Sequence, residues 1–346
     1  MAARLMILSV SVALFSVLAG CASSSAEEEL LEVEVSENNS GNRDENPSEM
    51  KDYSHLTTAN TVSDVVNHPA FQGFGRYILP LEWRYDPDMK LSNIPSLLPY
   101  HNYVDAGRAV GYINEMIDMV GNGKQLYYDL GRKDAGLFFF PGNPGAPFAV
   151  FCPGGGFSYV GSIHEGFPLA LELSKKGYNA FVIQYSVDRG AQSAVEDLSA
   201  GIDYIFTHAS ELGVSTDDYS VWGSSAGARM AAYIGSYTPA AFGNFVDGRP
   251  ATVVMGYTGH SEYTRQDPPT YVVIGENDAI ASPTVMRRRV EALQSLGIDA
   301  EFHLFPNLRH GFGLGTGTSA EGWMDGAVRF WEKHMNHSAG LPNITI

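Results

Sequence analysis

Short apolar runs alternate with amphipathic stretches through most of the chain, and the change of period from one to the next predicts its elements. Residues 125–130 and 136–140 read as a pair of strands joined by a turn at 131–135, and 148–152 as a short buried strand, because each is a brief apolar run bounded by turn formers. Residues 166–176 read as a helix, 180–185 as a strand, and 193–212 as a long amphipathic helix. A strand at 219–222 leads into a small-residue helical stretch at 228–235. Buried strands follow at 251–257 and 271–274, then a helix at 283–296, a last strand at 300–305 and a closing helix at 320–335. Strands separated by helices predict an α/β chain with a doubly wound, mostly parallel sheet, whose sites lie at the carboxyl ends of the strands.

The pattern is different ahead of residue 123. Residues 53–122 are rich in aromatic residues and proline (Phe71, Phe74, Tyr77, Trp83, Tyr85, Tyr100, Tyr103), with a helical period over 109–120. Two readings stay open for this region, a lid over the site or packing that covers one sheet edge. At the start, Arg4 precedes an apolar run from Leu5 to Leu18, too short to cross a bilayer as a mature helix, which reads as a secretory signal. Its end, Leu18-Ala19-Gly20-Cys21, resembles the lipobox of bacterial lipoproteins, which implies removal of residues 1–20 and acylation of Cys21. An ordinary signal cut after Ala22 or Ala26 is the simpler alternative. Either way the expected location is extracytoplasmic, and on the lipobox reading membrane contact is through the lipid anchor only.

Charge sharpens this division. The formal charge is -17, and ten carboxylates between residues 22 and 52 face only Arg43 and Lys51. That stretch is polar, with few large apolar groups to offset ordering entropy, and reads as an acidic tether ahead of the folded chain at 53–122 and 123–338. An acidic chain is repelled by nucleic acid and by anionic membrane surfaces, so neither is expected as a partner. Two cysteines, one of them Cys21, leave Cys152 as a core thiol and no disulfide framework.

Four loops carry candidate chemistry. Gly223-Ser224-Ser225-Ala226-Gly227 lies between a strand and a helix, where a sharp turn lifts a serine clear of the sheet and tolerates little side chain two residues either way. Ser225 is the candidate nucleophile. Pro153-Gly154-Gly155-Gly156-Phe157 follows an apolar strand, and its turn can aim backbone N–H groups at a developing oxyanion; the expected donors are Gly155, Gly156 and Ala226. Gly275-Glu276-Asn277-Asp278 and Asn307-Leu308-Arg309-His310 follow two further strands. They supply His310 as base and Asp278 as its orienting acid, with Glu276 as the competing acid. The order Ser, Asp, His is that of α/β-hydrolases. His303 with His310, and His334 with His337, lack the Cys or carboxylate pattern of a zinc site, and no cofactor is expected.

The residues from Phe148 to Phe312 resemble the esterase and lipase branch of the α/β-hydrolase superfamily. The stretches Pro153–Phe157, His164–Pro168 and Gly177–Phe181 are similar to bacterial acetyl-xylan and carbohydrate acetyl esterases in particular. Cys152-Pro153 stands where lipase-like members open the motif with His, which favours the acetyl-esterase side. The resemblance implies the α/β-hydrolase fold and a serine esterase acting on short acyl esters, acetyl first, of a small molecule or glycan. Phe157, Tyr159 and Tyr257 stand near the expected site, either to stack on sugar rings or as core. A prolyl-oligopeptidase-like serine peptidase and a non-catalytic binding module on a hydrolase scaffold are the competing functions.

Overall fold

Eight strands build one sheet: β1 (Tyr127–Arg132), β2 (Ala135–Phe140), β3 (Pro147–Cys152), β4 (Asn179–Gln184), β5 (Ser215–Ser224), β6 (Thr252–Gly256), β7 (Thr270–Gly275) and β8 (Ala300–Phe305). Their spatial order is β1-β2-β4-β3-β5-β6-β7-β8; β2 runs antiparallel to both β1 and β4, and every pairing from β4 to β8 is parallel. The structure is a computed structural model and describes residues 51–335. The signal, Cys21 and nearly all of the acidic stretch lie outside the described residues.

The helices are α1 (Val62–Val66), α2 (Ala106–Gly121), α3 (Ser162–Glu165), α4 (Phe167–Lys175), α5 (Gly190–Thr207), α6 (Ala209–Leu212), α7 (Ala226–Tyr237), α8 (Pro283–Ser295) and α9 (Trp323–His334). They cover both faces of the sheet. Trp222 and Val254 are in register, and Trp222 meets Trp323 and Trp331 of α9. Val253, on the opposite face of the pleat, packs against Gly235 of α7. Strands buried on both sides explain why their sequences read as continuous apolar runs rather than as alternations. Cys152 is a buried free thiol, as its apolar strand implied.

Two elements depart from the sequence pattern. The helix expected over 193–212 starts at Gly190 and breaks at His208, whose Nδ1 and backbone N–H both turn to the Tyr204 carbonyl. Strand β5 begins four residues before the apolar run, because Ser215 pairs with Pro147 before the register shifts at Asp218, which has φ 56°. Residues 53–122 pack onto the β1 edge: the rings of Phe74 and Tyr77 stack on Tyr127 at 5.3 and 5.6 Å. Parallel strands bring the carboxyl ends of β3, β5, β6, β7 and β8 to one rim, and all four candidate loops start there.

Candidate active site

Ser225 sits between the end of β5 and the start of α7 with φ 51° and ψ -115°, a left-handed backbone that a serine adopts only under constraint. Its N–H donates to the Gly256 carbonyl at 2.9 Å, which pins the turn to β6. Close approach explains the flanking glycines: a Cβ at Gly227 would overlap the Cys152 carbonyl, and one at Gly223 the Gly227 carbonyl. The strained turn is thereby held by backbone on both sides.

The three residues from separate loops meet. His310 Nε2 lies 2.9 Å from Ser225 Oγ, and its Nδ1 lies 2.7 Å from Asp278 Oδ2. His310 is 3% exposed and the Asp278 side chain fully buried. The other Asp278 oxygen, Oδ1, accepts the N–H groups of Ile280 and Ala281 at 2.8 and 2.7 Å, so the carboxylate is fixed before it meets the imidazole. This pattern assigns the Nδ1–H tautomer to a neutral His310, leaving Nε2 to accept from Ser225. Glu276 turns away: its Oε2 accepts the Asn307 N–H at 3.1 Å.

The glycine bend lies beside the serine. Gly155, Gly156 and Phe157 have φ of 134°, 63° and 58°, a run of positive values that a Gly-Gly pair permits. Among the described residues the N–H groups of Gly155 and Gly156 meet no protein acceptor. Gly156, Ala226, Ser225 and His310 line one open cavity of about 390 Å³, whereas Gly155 sits one step behind it against Tyr159. The far wall is Thr258–Glu262, held by a buried ion pair: Arg289 Nη2 donates to Asp267 Oδ2 at 2.6 Å, and Arg289 Nε to the Glu262 carbonyl at 3.1 Å. His260 in that wall is pushed down to about 4 by burial, with the charges of Arg289 and Arg229 adding to it, so it is neutral at pH 7. No residue of 53–122 lines the cavity.

The sequence reading missed a buried polar cluster that supports the bend. Glu165 Oε2 accepts the Gly154 N–H at 2.7 Å and lies 3.1 Å from His101 Nε2, while Oε1 accepts the Tyr257 hydroxyl at 2.8 Å. Burial alone would raise the Glu165 carboxyl, but His101, followed by His164 and the Tyr257 hydroxyl, outweighs it and holds the group well below the usual range. Tyr257 also accepts the Gly313 N–H at 3.2 Å and packs its ring 5.0 Å from that of His310. His101 Nδ1 meets the Tyr159 hydroxyl at 3.0 Å, and Asn102 Nδ2 donates to the His310 carbonyl at 2.8 Å. Tyr159 and Tyr257, two of the three rings considered for sugar stacking, are both 1% exposed and belong to this core. The sequence signal for the cluster was slight: a charged His164-Glu165 pair directly ahead of an apolar helix.

Among the described residues no group of three His, Cys, Asp or Glu side chains is arranged to hold a metal ion.

Comparison with known proteins agrees with this architecture. A family model described as BD-FAE matches residues 141–248. The chain is 26% identical over 208 residues to an acetylxylan esterase of Xylanibacter ruminicola, covering 51% of this chain and 43% of that protein. It is 24% identical over 216 residues to endo-1,4-beta-xylanase B of Butyrivibrio fibrisolvens, covering 50% and 34%. The chain thus spans less than half the length of these relatives. Among solved structures it is similar to MGS-M1, an α/β hydrolase enzyme from a Medee basin deep-sea metagenome library, with a TM-score of 0.53 and 25% identity over 60% of this chain and 96% of that one. It is also similar to an acetyl ester-xyloside bifunctional hydrolase from Caldicellulosiruptor lactoaceticus, with a TM-score of 0.52 and 21% identity over 60% and 90%. The fold is that of the α/β-hydrolases, and the chain is akin to acetylxylan esterases among them.

Proposed function

We propose that this α/β-hydrolase is a serine esterase that removes short acyl groups, acetyl first, from an acylated carbohydrate. The observation that carries the reading is the unbroken chain from Ser225 Oγ through the His310 ring to the buried Asp278 carboxylate, with both links under 3 Å. On this reading His310 accepts the Ser225 proton as Oγ attacks the ester carbonyl, and Asp278 holds the tautomer and stabilises the imidazolium. The tetrahedral oxyanion is received by the N–H groups of Gly156 and Ala226, with Gly155 as the third expected donor. His310 then gives its proton to the leaving alcohol, and water hydrolyses the acyl-enzyme by the reverse sequence.

The similarity to an acetylxylan esterase supports the carbohydrate, and the open, partly polar cavity without an extended apolar channel supports a short acyl group. We also propose that the mature chain is extracytoplasmic and anchored through Cys21; metabolic labelling with a fatty acid, lost in Cys21→Ala, tests this. The enzymatic reading is tested with a panel of 4-nitrophenyl esters from acetate to palmitate, run on the wild type and on Ser225→Ala. Turnover confined to short chains and abolished in the variant supports it. No turnover of any ester favours a binding module, and cleavage of peptides instead favours a peptidase.

A further inference from the structure

Four large aromatic side chains within residues 83–103 are exposed, although the aliphatic side chains Met89, Leu91, Ile94, Leu97 and Leu98 among them are buried: Trp83, Tyr85, Tyr100 and Tyr103. None of them lines the cavity itself, but Tyr100 stands beside its Gly156 wall and Trp83 packs on the same ring, Tyr159, as Tyr100 does. Tyr100 lies parallel to Tyr159 at 5.8 Å and 12°, and its ring edge is 3.1 Å from where a Cβ at Gly156 would stand. Trp83 rests on the same Tyr159 ring at 6.2 Å, and its indole N–H donates to the Leu97 carbonyl at 2.9 Å. The Tyr103 hydroxyl accepts the N–H of Arg309, next to His310, at 3.2 Å. The buried Tyr159 is therefore a base that fixes Trp83 and Tyr100 with their outer sides in solvent, each 42% exposed.

A fixed aromatic ring with one face in water is poorly hydrated on that face and loses little conformational entropy when something covers it. We infer that Trp83 and Tyr100 form a platform for pyranose rings of a polymeric glycan flanking the ester under attack. The apolar C–H face of a pyranose fits a flat ring, whereas its hydroxyls remain free for water. This inference rests on the esterase reading and supplies what the cavity itself does not: Gly156, Ala226 and His310 can engage an acyl group, but the surface just outside them has to hold the sugar chain. Tyr159 and Tyr257 are too buried to do so.

The test compares soluble acetylated xylan with 4-nitrophenyl acetate for the wild type and for Trp83→Ala, Tyr100→Ala and Tyr100→Leu. The leucine variant keeps an apolar contact with Tyr159 while removing the exposed ring. The inference expects kcat/KM on the polymer to fall about tenfold more than on the small ester, mainly through KM. Retention on insoluble xylan, measured with Ser225→Ala protein so that no turnover intervenes, should weaken by a similar factor when either ring is removed. Equal losses on both substrates, or retention that the ring variants leave unchanged, would overturn the platform. A wild type that is retained by xylan through these rings but cleaves neither ester would keep the platform and remove the esterase reading.

Discussion

Gly154 donates its backbone N–H to Oε2 of Glu165 at 2.7 Å, so the first glycine of the bend is held by a carboxylate that is itself fully buried. The same carboxylate reaches His101 and the Tyr257 hydroxyl, which ties together the N-terminal region, the β3 loop and the end of β6.

Glu165 is therefore a positioning residue for the bend. Glu165→Gln keeps an acceptor but loses the charge, and should lower kcat for 4-nitrophenyl acetate about tenfold with little change in KM. Glu165→Ala breaks a buried pair and should cost about 3 kcal/mol in urea unfolding. A KM effect with kcat unchanged in the glutamine variant would contradict the assignment.

The two carboxylates after β7 are separated by geometry. Asp278→Asn should reduce kcat by about four orders of magnitude, because the amide favours the wrong imidazole tautomer. Glu276→Gln, whose side chain holds only the Asn307 N–H, should stay within about threefold of the wild type. Steady-state kinetics of the two purified variants decides between them.

Gly227→Ala should be destabilising by about 3 kcal/mol, since its Cβ meets the Cys152 carbonyl, a backbone atom that cannot swing aside. A urea midpoint close to that of the wild type would mean that β3 and the turn can separate more easily than their contact implies.

How much of this was legible beforehand follows from where each signal is written. Ser225, Asp278 and His310 could be named because each lies on a loop just after an apolar strand, and two of those loops are marked by glycine. The parallel sheet then brings loops 53 and 32 residues apart in sequence to one rim. Glu165 was not legible in the same way. Its partners, His101 and Tyr257, lie 64 and 92 residues away, and nothing local distinguishes a buried carboxylate from a solvated one. Tyr159 and Tyr257 illustrate the same gap: a tyrosine's hydroxyl lets it serve equally in a polar core or on a surface, and here both are core. The break at His208 was hidden because its cause is a side chain turning back on the Tyr204 carbonyl.

Acid should weaken the fold partly through His164, whose pKa is pushed down from 6.5 to about 4 by burial and then by the adjacent His101. A depressed folded-state value means that the unfolded chain takes up the proton first. The contribution is complete above pH 6.5 and is lost as pH falls toward 4. His164→Gln, which retains a donor for the Gly311 carbonyl, should decline less steeply over that window in urea midpoints measured at half-unit steps of pH. Parallel curves for the two proteins would contradict this.

Activation of one particular hydroxyl is what the functional reading asserts, and covalent labelling measures that most directly. The wild type is incubated with a fluorophosphonate, then digested and analysed by mass spectrometry. A single stoichiometric adduct is expected on the peptide containing Ser225, formed at least a hundredfold more slowly in His310→Ala because the base is gone. An unlabelled Ser225 in folded protein, or a label at another residue with the same rate in both proteins, would contradict it.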